Sequence, residues 1–225
     1  MLFLCLSVLL GVRCLSIGAE TVDVKTSSGT VRGQTITELG KELNQFYGIP
    51  FAEPPVGALR FAKPKPITKP SPDIIDATKM KTTCISTWKG PTSEDCLFVN
   101  IWAPHNTTQL KAVMFWIYGG GFSWGSIFDG GYDGKWITSN DVVYVAVAYR
   151  LGSLGFLYGG DDEETPGNLG LLDQLEGLKW VRENIHLFGG DKDKITIFGE
   201  SAGSISVSAL VLSPLAKGLF ARAIL

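Results

Sequence analysis

Two pentapeptides, GFSWG at 121–125 and GESAG at 199–203, fit one pattern, G-x-S-x-G, in which a serine between glycines can be presented on a tight turn as a nucleophile. With 27 glycines in 225 residues, roughly 0.2 matches arise from composition alone, so the pattern by itself assigns nothing. The flanks separate the two. Ser201 follows KITIF, a short apolar run that reads as a strand, and opens SAGSISVSALVL, which reads as a helix. At such a junction the hydroxyl stands at the carboxyl edge of a sheet, glycines permit close backbone approach, and the helix N-terminus favours a developing oxyanion. Ser123 also follows an apolar run, AVMFWIY, but the SIFDGGYDG stretch around it has no helical period. That region offers instead Gly119-Gly120-Gly121, successive backbone N–H groups without side chains, a donor surface for an anionic oxygen. Ser201 is therefore expected to attack and the glycine run to stabilise charge. Taken singly, GGG is also accounted for as a tight turn and GESAG as a helix cap.

A serine hydroxyl needs a histidine to take its proton and a carboxylate to orient that histidine. With this kind of elbow the chain order is serine, acid, histidine. Residues 202–225, AGSISVSALVLSPLAKGLFARAIL, contain no Asp, Glu or His, and the two histidines, His105 and His186, both precede the serine. His105 stands in APHNTT, on an expected surface loop. His186 falls in the last turn of an expected helix, where a cation suits the dipole. Neither is read as the base, and Asp173 is read as a structural polar contact with Arg150 as a candidate partner. The expectation is a truncated chain whose sheet is unfinished, which is inactive alone and prone to aggregate through its open apolar edge.

The elements that must position these residues follow from hydrophobic runs. LFVNIWAP, AVMFWIYGG and VVYVAVAYR are nearly continuous apolar stretches rich in Val, Ile and aromatics, as in strands buried on both faces. In NLGLLDQLEGLKWVRENIHLF, Leu171, Leu175, Leu178 and Val181 recur near helical spacing and Gly189-Gly190 supplies the stop. Strand, helix, strand, helix implies an α/β fold with a parallel sheet, and FARAIL reads as a further strand. VDVKTSSGTVRGQTI reads as a small N-terminal β-hairpin turning at Ser28-Gly29. Prolines crowd residues 50–72, so that stretch is expected to run extended over a surface, anchored by Phe51, Leu59 and Phe61.

Composition places the chain in an oxidising, exported setting. Hydrophobic residues make up 45% and charged residues 19%, as in an ordinary globular core. The formal charge of −2 is spread without a basic run, so no nucleic-acid partner is expected. Residues 1–18 read as a signal peptide, with an apolar stretch from Leu2 to Val12, and Arg13 interrupts it well short of the ~20 residues that span a bilayer. Removal of that leader takes Cys5 and Cys14, leaving Cys84 and Cys96, an even pair that reads as a disulfide closing a short loop and contributing about 3 kcal/mol. Asn106-Thr107-Thr108 is a glycosylation sequon, so secretion or residence in the ER lumen is expected. No ligand cluster or phosphate cradle is present, so neither metal nor organic cofactor is implied.

The stretches EDCLFVNIWAP, WIYGGGF, AYRLGSLGFL, GNLGLLDQ and ITIFGESAGSISVSALVLSPLAKGLFARAI together resemble the N-terminal part of a type-B carboxylesterase, the family of liver carboxylesterases and cholinesterases. The resemblance runs from about Val22 to the end, and SALVLSPLAKGLF is more similar to the liver branch. It implies an α/β-hydrolase fold, with residues 19–225 as the N-terminal portion of the catalytic domain, and a small-molecule carboxylic ester as substrate. It also implies Ser201 as nucleophile, and the backbone N–H groups of Gly120, Gly121 and Ala202 as the oxyanion hole. Glu200 matches an acidic residue given an electrostatic role near the acyl-enzyme, although a carboxylate at a helix start is equally well accounted for on physics alone. Cys84 and Cys96 resemble the family's first disulfide, and Trp88 lies in the loop where cholinesterases carry a choline-binding tryptophan. The family also contains non-catalytic adhesion members, so a binding module on the same fold is the alternative function.

Overall fold

The computed structural model describes residues 20–87, 90–160 and 165–225. The expected signal peptide at 1–18 and Trp88 lie outside them. In chain order the strands before the first helix are β1 (Thr21–Thr26), β2 (Gly29–Glu38), β3 (Lys41–Pro50), β4 (Ser71–Asp76), β5 (Thr83–Cys84), β6 (Thr92–Ser93), β7 (Phe98–Pro104) and β8 (Lys111–Ile117). Then come α1 (Lys135–Thr138), β9 (Val143–Val147), α2 (Gly152–Phe156), α3 (Leu169–Asn184), β10 (Gly190–Gly199), α4 (Ala202–Leu212) and β11 (Arg222–Ile224).

Nine of these strands form one sheet in the order β1-β2-β3-β7-β9-β8-β10-β11, with β4 paired to β2. The half from β1 to β7 is antiparallel, β7 meets β9 antiparallel, and β9, β8, β10 and β11 run parallel. The apolar runs sit where their composition directs. Every residue of β9 is buried, as are six of the seven in β7. In β8 burial alternates, with Val113, Phe115 and Ile117 inside.

The N-terminal hairpin forms as expected, Thr26 facing Gly29 across the turn. It is the edge of the main sheet rather than a separate hairpin, because β3 bridges β2 to β7. Its tip is tied down: Ser27 N–H donates to Asn184 Oδ1 at 2.9 Å and Trp180 Nε1 to Ser28 Oγ at 2.9 Å, both partners lying on α3. Along residues 50–72 only Phe51 among the three expected anchors is fully buried, and Leu59 and Phe61 are half-buried. That segment is held by polar bonds instead, described below. The α3 helix ends at Asn184, and His186 falls in a following 3-10 turn that closes on Gly189 in the left-handed conformation, φ 79°.

Candidate active site

The β10 strand ends at Gly199 and α4 begins at Ala202, so the chain turns from strand to helix across Glu200 and Ser201. Ser201 takes φ 55°, ψ −121°, a sparsely populated conformation that an L-residue holds only when its surroundings impose it. Those surroundings are the two flanking glycines. A Cβ added at Gly203 would run into the carbonyl oxygen of Ile117 and lie 2.8 Å from Ile117 C and 3.0 Å from Tyr118 C. One at Gly199 would lie 2.6 Å from Gly203 O and 2.8 Å from Ile117 O. Both clashes are with backbone, which cannot swing aside, so the start of α4 rests against the end of β8 only because these positions lack side chains. The Ser201 side chain makes no capping bond to the helix, and the residue is exposed.

The end of β8 carries Gly119-Gly120-Gly121, and this run meets the elbow. A Cβ at Gly119 would lie 2.5 Å from Glu200 Oε2 and 3.0 Å from Ser201 Cβ. Gly120 and Gly121 have φ 106° and 60°, backbone that glycine adopts without strain. Among the described residues no protein acceptor takes the N–H of Gly120, Gly121 or Ala202. Gly119, at the head of that run, is the glycine that touches the exposed, strained serine.

Ser123 has no such setting. It sits in an exposed turn, its N–H on Gly120 O at 3.0 Å and its hydroxyl on Gly121 O at 3.1 Å, and no helix follows. Glu200 is exposed on average, with Oε2 turned toward Gly119. Its charge, after the larger effect of burial, helps push the Tyr132 phenol upward, and it does the same for Tyr149.

Arg150 and Asp173 pair as the residues suggest. The guanidinium donates through Nε to Asp173 Oδ2 at 2.8 Å and through Nη2 to Oδ1 at 2.7 Å, with side chains 3% and 0% exposed. Burial pushes the Asp173 carboxyl upward and Arg150 opposes it. The remaining Nη1 donates to Arg60 O and Ala62 O, each at 2.9 Å, which pins the proline-rich segment. The neighbouring Gln174 donates to Ser206 Oγ at 3.0 Å, and that hydroxyl donates to Ala202 O at 2.9 Å, bracing the first turn of α4 from α3.

The histidines lie elsewhere. His186 precedes β10 and His105 follows β7, which runs antiparallel to β9, so both stand at the amino ends of the parallel strands. Ser201 is beyond the opposite end of β10, about 20 Å away at 3.3 Å per residue, since the bulged Gly190–Gly199 stretch pairs with only Lys111 to Ile117 of β8. His105 Nδ1 contacts Asn44 Oδ1 at 2.9 Å. Cys84 and Cys96 form a buried disulfide, Cα atoms 4.9 Å apart. Asn106 occupies an exposed turn at φ 51°. No helix among the described residues is long and apolar enough to cross a membrane.

Two contacts behind the site carry no local sequence signal: the Gln174–Ser206 bond, and a mutual bond between Tyr118 and Tyr149 across 31 residues.

Comparison with known proteins agrees with this geometry. The model of the carboxylesterase family matches residues 20–225. An acetylcholinesterase of Bungarus fasciatus is 42% identical over 223 residues, covering 92% of this chain and 37% of that protein. A cholinesterase of Mus musculus is 44% identical over 222 residues, with the same coverages. An acetylcholinesterase of Gallus gallus is 44% identical over 221 residues, covering 90% of this chain and 29% of that protein. The chain thus spans less than two fifths of the length of these relatives, which are named as cholinesterases. A strand-to-helix elbow at Ser201, the glycine run beside it and a family match across every described residue make this chain a member of the carboxylesterase family, with an α/β-hydrolase fold.

Proposed function

We propose that Ser201 is the nucleophile of a serine carboxylic-ester hydrolase, and that the N–H groups of Gly120, Gly121 and Ala202 form its oxyanion hole. The observation that carries this is the conformation of Ser201, strained and exposed on the elbow with the glycine run against it. The Ser201 oxygen attacks the ester carbonyl, charge collects on the carbonyl oxygen within reach of the three donors, and the C–O bond to the alcohol breaks to leave an acyl-serine. Water then attacks that acyl group and releases the acid. Each step moves one proton, from serine to alcohol and from water back to serine, through a general base.

His105 and His186 are at the far edge of the sheet, so neither serves as that base. The 225 residues alone are therefore proposed to lack turnover, and a histidine and its carboxylate are to be supplied from outside them. Glu200, whose Oε2 faces Gly119, is proposed to stabilise positive charge on that histidine. The buried disulfide and the exposed sequon at Asn106 support residence in the secretory pathway.

A fluorophosphonate probe tests the reading on the esterase that carries this chain: labelling at Ser201, abolished by Ser201→Ala, is expected. An intact, folded protein that takes no label would instead be an adhesion-type member. Choline and neutral aryl esters of equal acyl length, compared as substrates, separate a general esterase from a cholinesterase.

A further inference from the structure

The β8 and β9 strands are parallel neighbours, and one tyrosine leaves the end of each: Tyr118 just before the glycine run and Tyr149 just before Arg150. Their rings stack at 4.5 Å, inclined by 21°. Each hydroxyl donates to the other's backbone carbonyl, Tyr149 to Tyr118 O at 2.8 Å and Tyr118 to Tyr149 O at 3.2 Å. Both residues are fully buried. Burial raises both phenols, so each keeps its donor proton throughout the working pH range.

The two bonds are not equivalent. Tyr118 O belongs to the peptide that joins Tyr118 to Gly119, and Gly119 lies against Glu200 and Ser201. On its other side the same peptide meets α4, since a Cβ at Gly203 would be 3.0 Å from Tyr118 C. The loop also returns over the tyrosine: a Cβ at Gly125 would be 2.6 Å from Tyr118 Cδ2 and 2.7 Å from Gly119 O. A run of three glycines has the widest backbone freedom of any tripeptide, and this one is pinned from both sides: downstream, Gly120 O accepts from Ser123 N–H at 3.0 Å and Trp124 N–H at 3.1 Å. Upstream, the 118–119 peptide sets the direction in which the run starts, and the Tyr149 hydroxyl holds that peptide.

We infer that Tyr149 is a positioning residue for the oxyanion donors, its hydroxyl fixing the 118–119 peptide so that Gly120 and Gly121 N–H point at the developing charge. The inference rests on the proposed role of that glycine run. Tyr118 has the lesser part, since its own hydroxyl holds the Arg150 side of the pair.

The test compares Tyr149→Phe and Tyr118→Phe in the esterase that carries this chain. Both variants keep ring stacking and volume. With sites counted by fluorophosphonate titration, Tyr149→Phe is expected to lower kcat by about 10–100-fold, up to the loss that a 1 Å misplacement causes, with KM within about twofold. Tyr118→Phe is expected to lose less than about fivefold. Tyr149→Phe should also weaken a trifluoromethyl ketone, which forms the tetrahedral adduct, in proportion to kcat, and a neutral ketone of the same shape hardly at all. A merely structural role would lower the number of titratable sites and leave kcat per site unchanged, and that result overturns the inference. So does a Tyr118→Phe loss as large as that expected for Tyr149→Phe, a comparison that stands even if the latter accumulates poorly. Full activity of Ser201→Ala would instead refute the nucleophile assignment itself.

Discussion

Gly203→Ala adds one methyl group where the helix start meets the end of β8. The new Cβ would overlap the Ile117 carbonyl oxygen and stand 2.8 Å from Ile117 C and 3.0 Å from Tyr118 C. Carbon contacts relax near 3.5–4.0 Å, so the helix must retreat by roughly 1 Å. Because every obstructing atom is backbone, the cost falls at the upper end of the overpacking range, about 3 kcal/mol. Alanine's better helix propensity returns at most about 1 kcal/mol, which leaves a net loss of about 2 kcal/mol. For a chain of this size that lowers Tm by roughly 4–8 °C. Gly130→Ala is the matched control: the site is open, with nothing within 4 Å of the added atom, and the change should stay within about 0.5 kcal/mol. Thermal melts of the two variants and the parent, side by side, decide it. If Gly203→Ala melts at or above the parent, the close approach of α4 to β8 is not what holds the elbow.

Asp173→Ala strands a buried guanidinium and should cost about 3–5 kcal/mol in urea denaturation, whereas Asp23→Ala, which breaks the exposed pair with Arg32, should leave the midpoint unchanged. Replacing Cys84 and Cys96 together by serine should lower stability by about 3 kcal/mol, and reductant should then have no further effect on the melt. Thr78 holds the Asp76 carboxyl below its ordinary value through a hydroxyl bond of 2.6 Å and an N–H bond of 3.0 Å. Because the folded value is depressed, this bond favours the fold above the unfolded pKa near 3.9 and ceases to do so as pH falls through the folded value. Thr78→Ala should move the Asp76 titration upward by NMR; an unmoved titration would refute the cause.

The strand-to-helix corner and the glycine run were legible because their signals are local. KITIF followed at once by a helix puts Ser201 on a corner, and AVMFWIY followed by three glycines puts a donor run at a strand end; both elements formed over those residues. Asp173 was legible as a structural partner of Arg150 because a charged residue in a helix between apolar neighbours needs one. The β3 strand was not, since Gly48 and Pro50 look like breakers. The structure accommodates them with a bulge between Phe46 and Ile49, where Gly48 takes φ 66° and donates to Asn100 Oδ1 at 2.8 Å. The tyrosine pair was illegible for a different reason. Its partners are 31 residues apart and bond side chain to main chain, so neither spacing nor composition marks them.

Arg150 has a temporal consequence. Its guanidinium joins the carbonyls of Arg60 and Ala62 to the carboxylate of Asp173, segments that leave the ribosome far apart in time. The proline-rich strap emerges first, yet its anchor is made on the order of 100 residues later, and the anchor's own counter-charge later still. At roughly 5–20 residues per second, the strap waits about 5–20 s before that anchor exists. A synonymous change that slows translation between codons 62 and 173 lengthens that interval without altering a single residue.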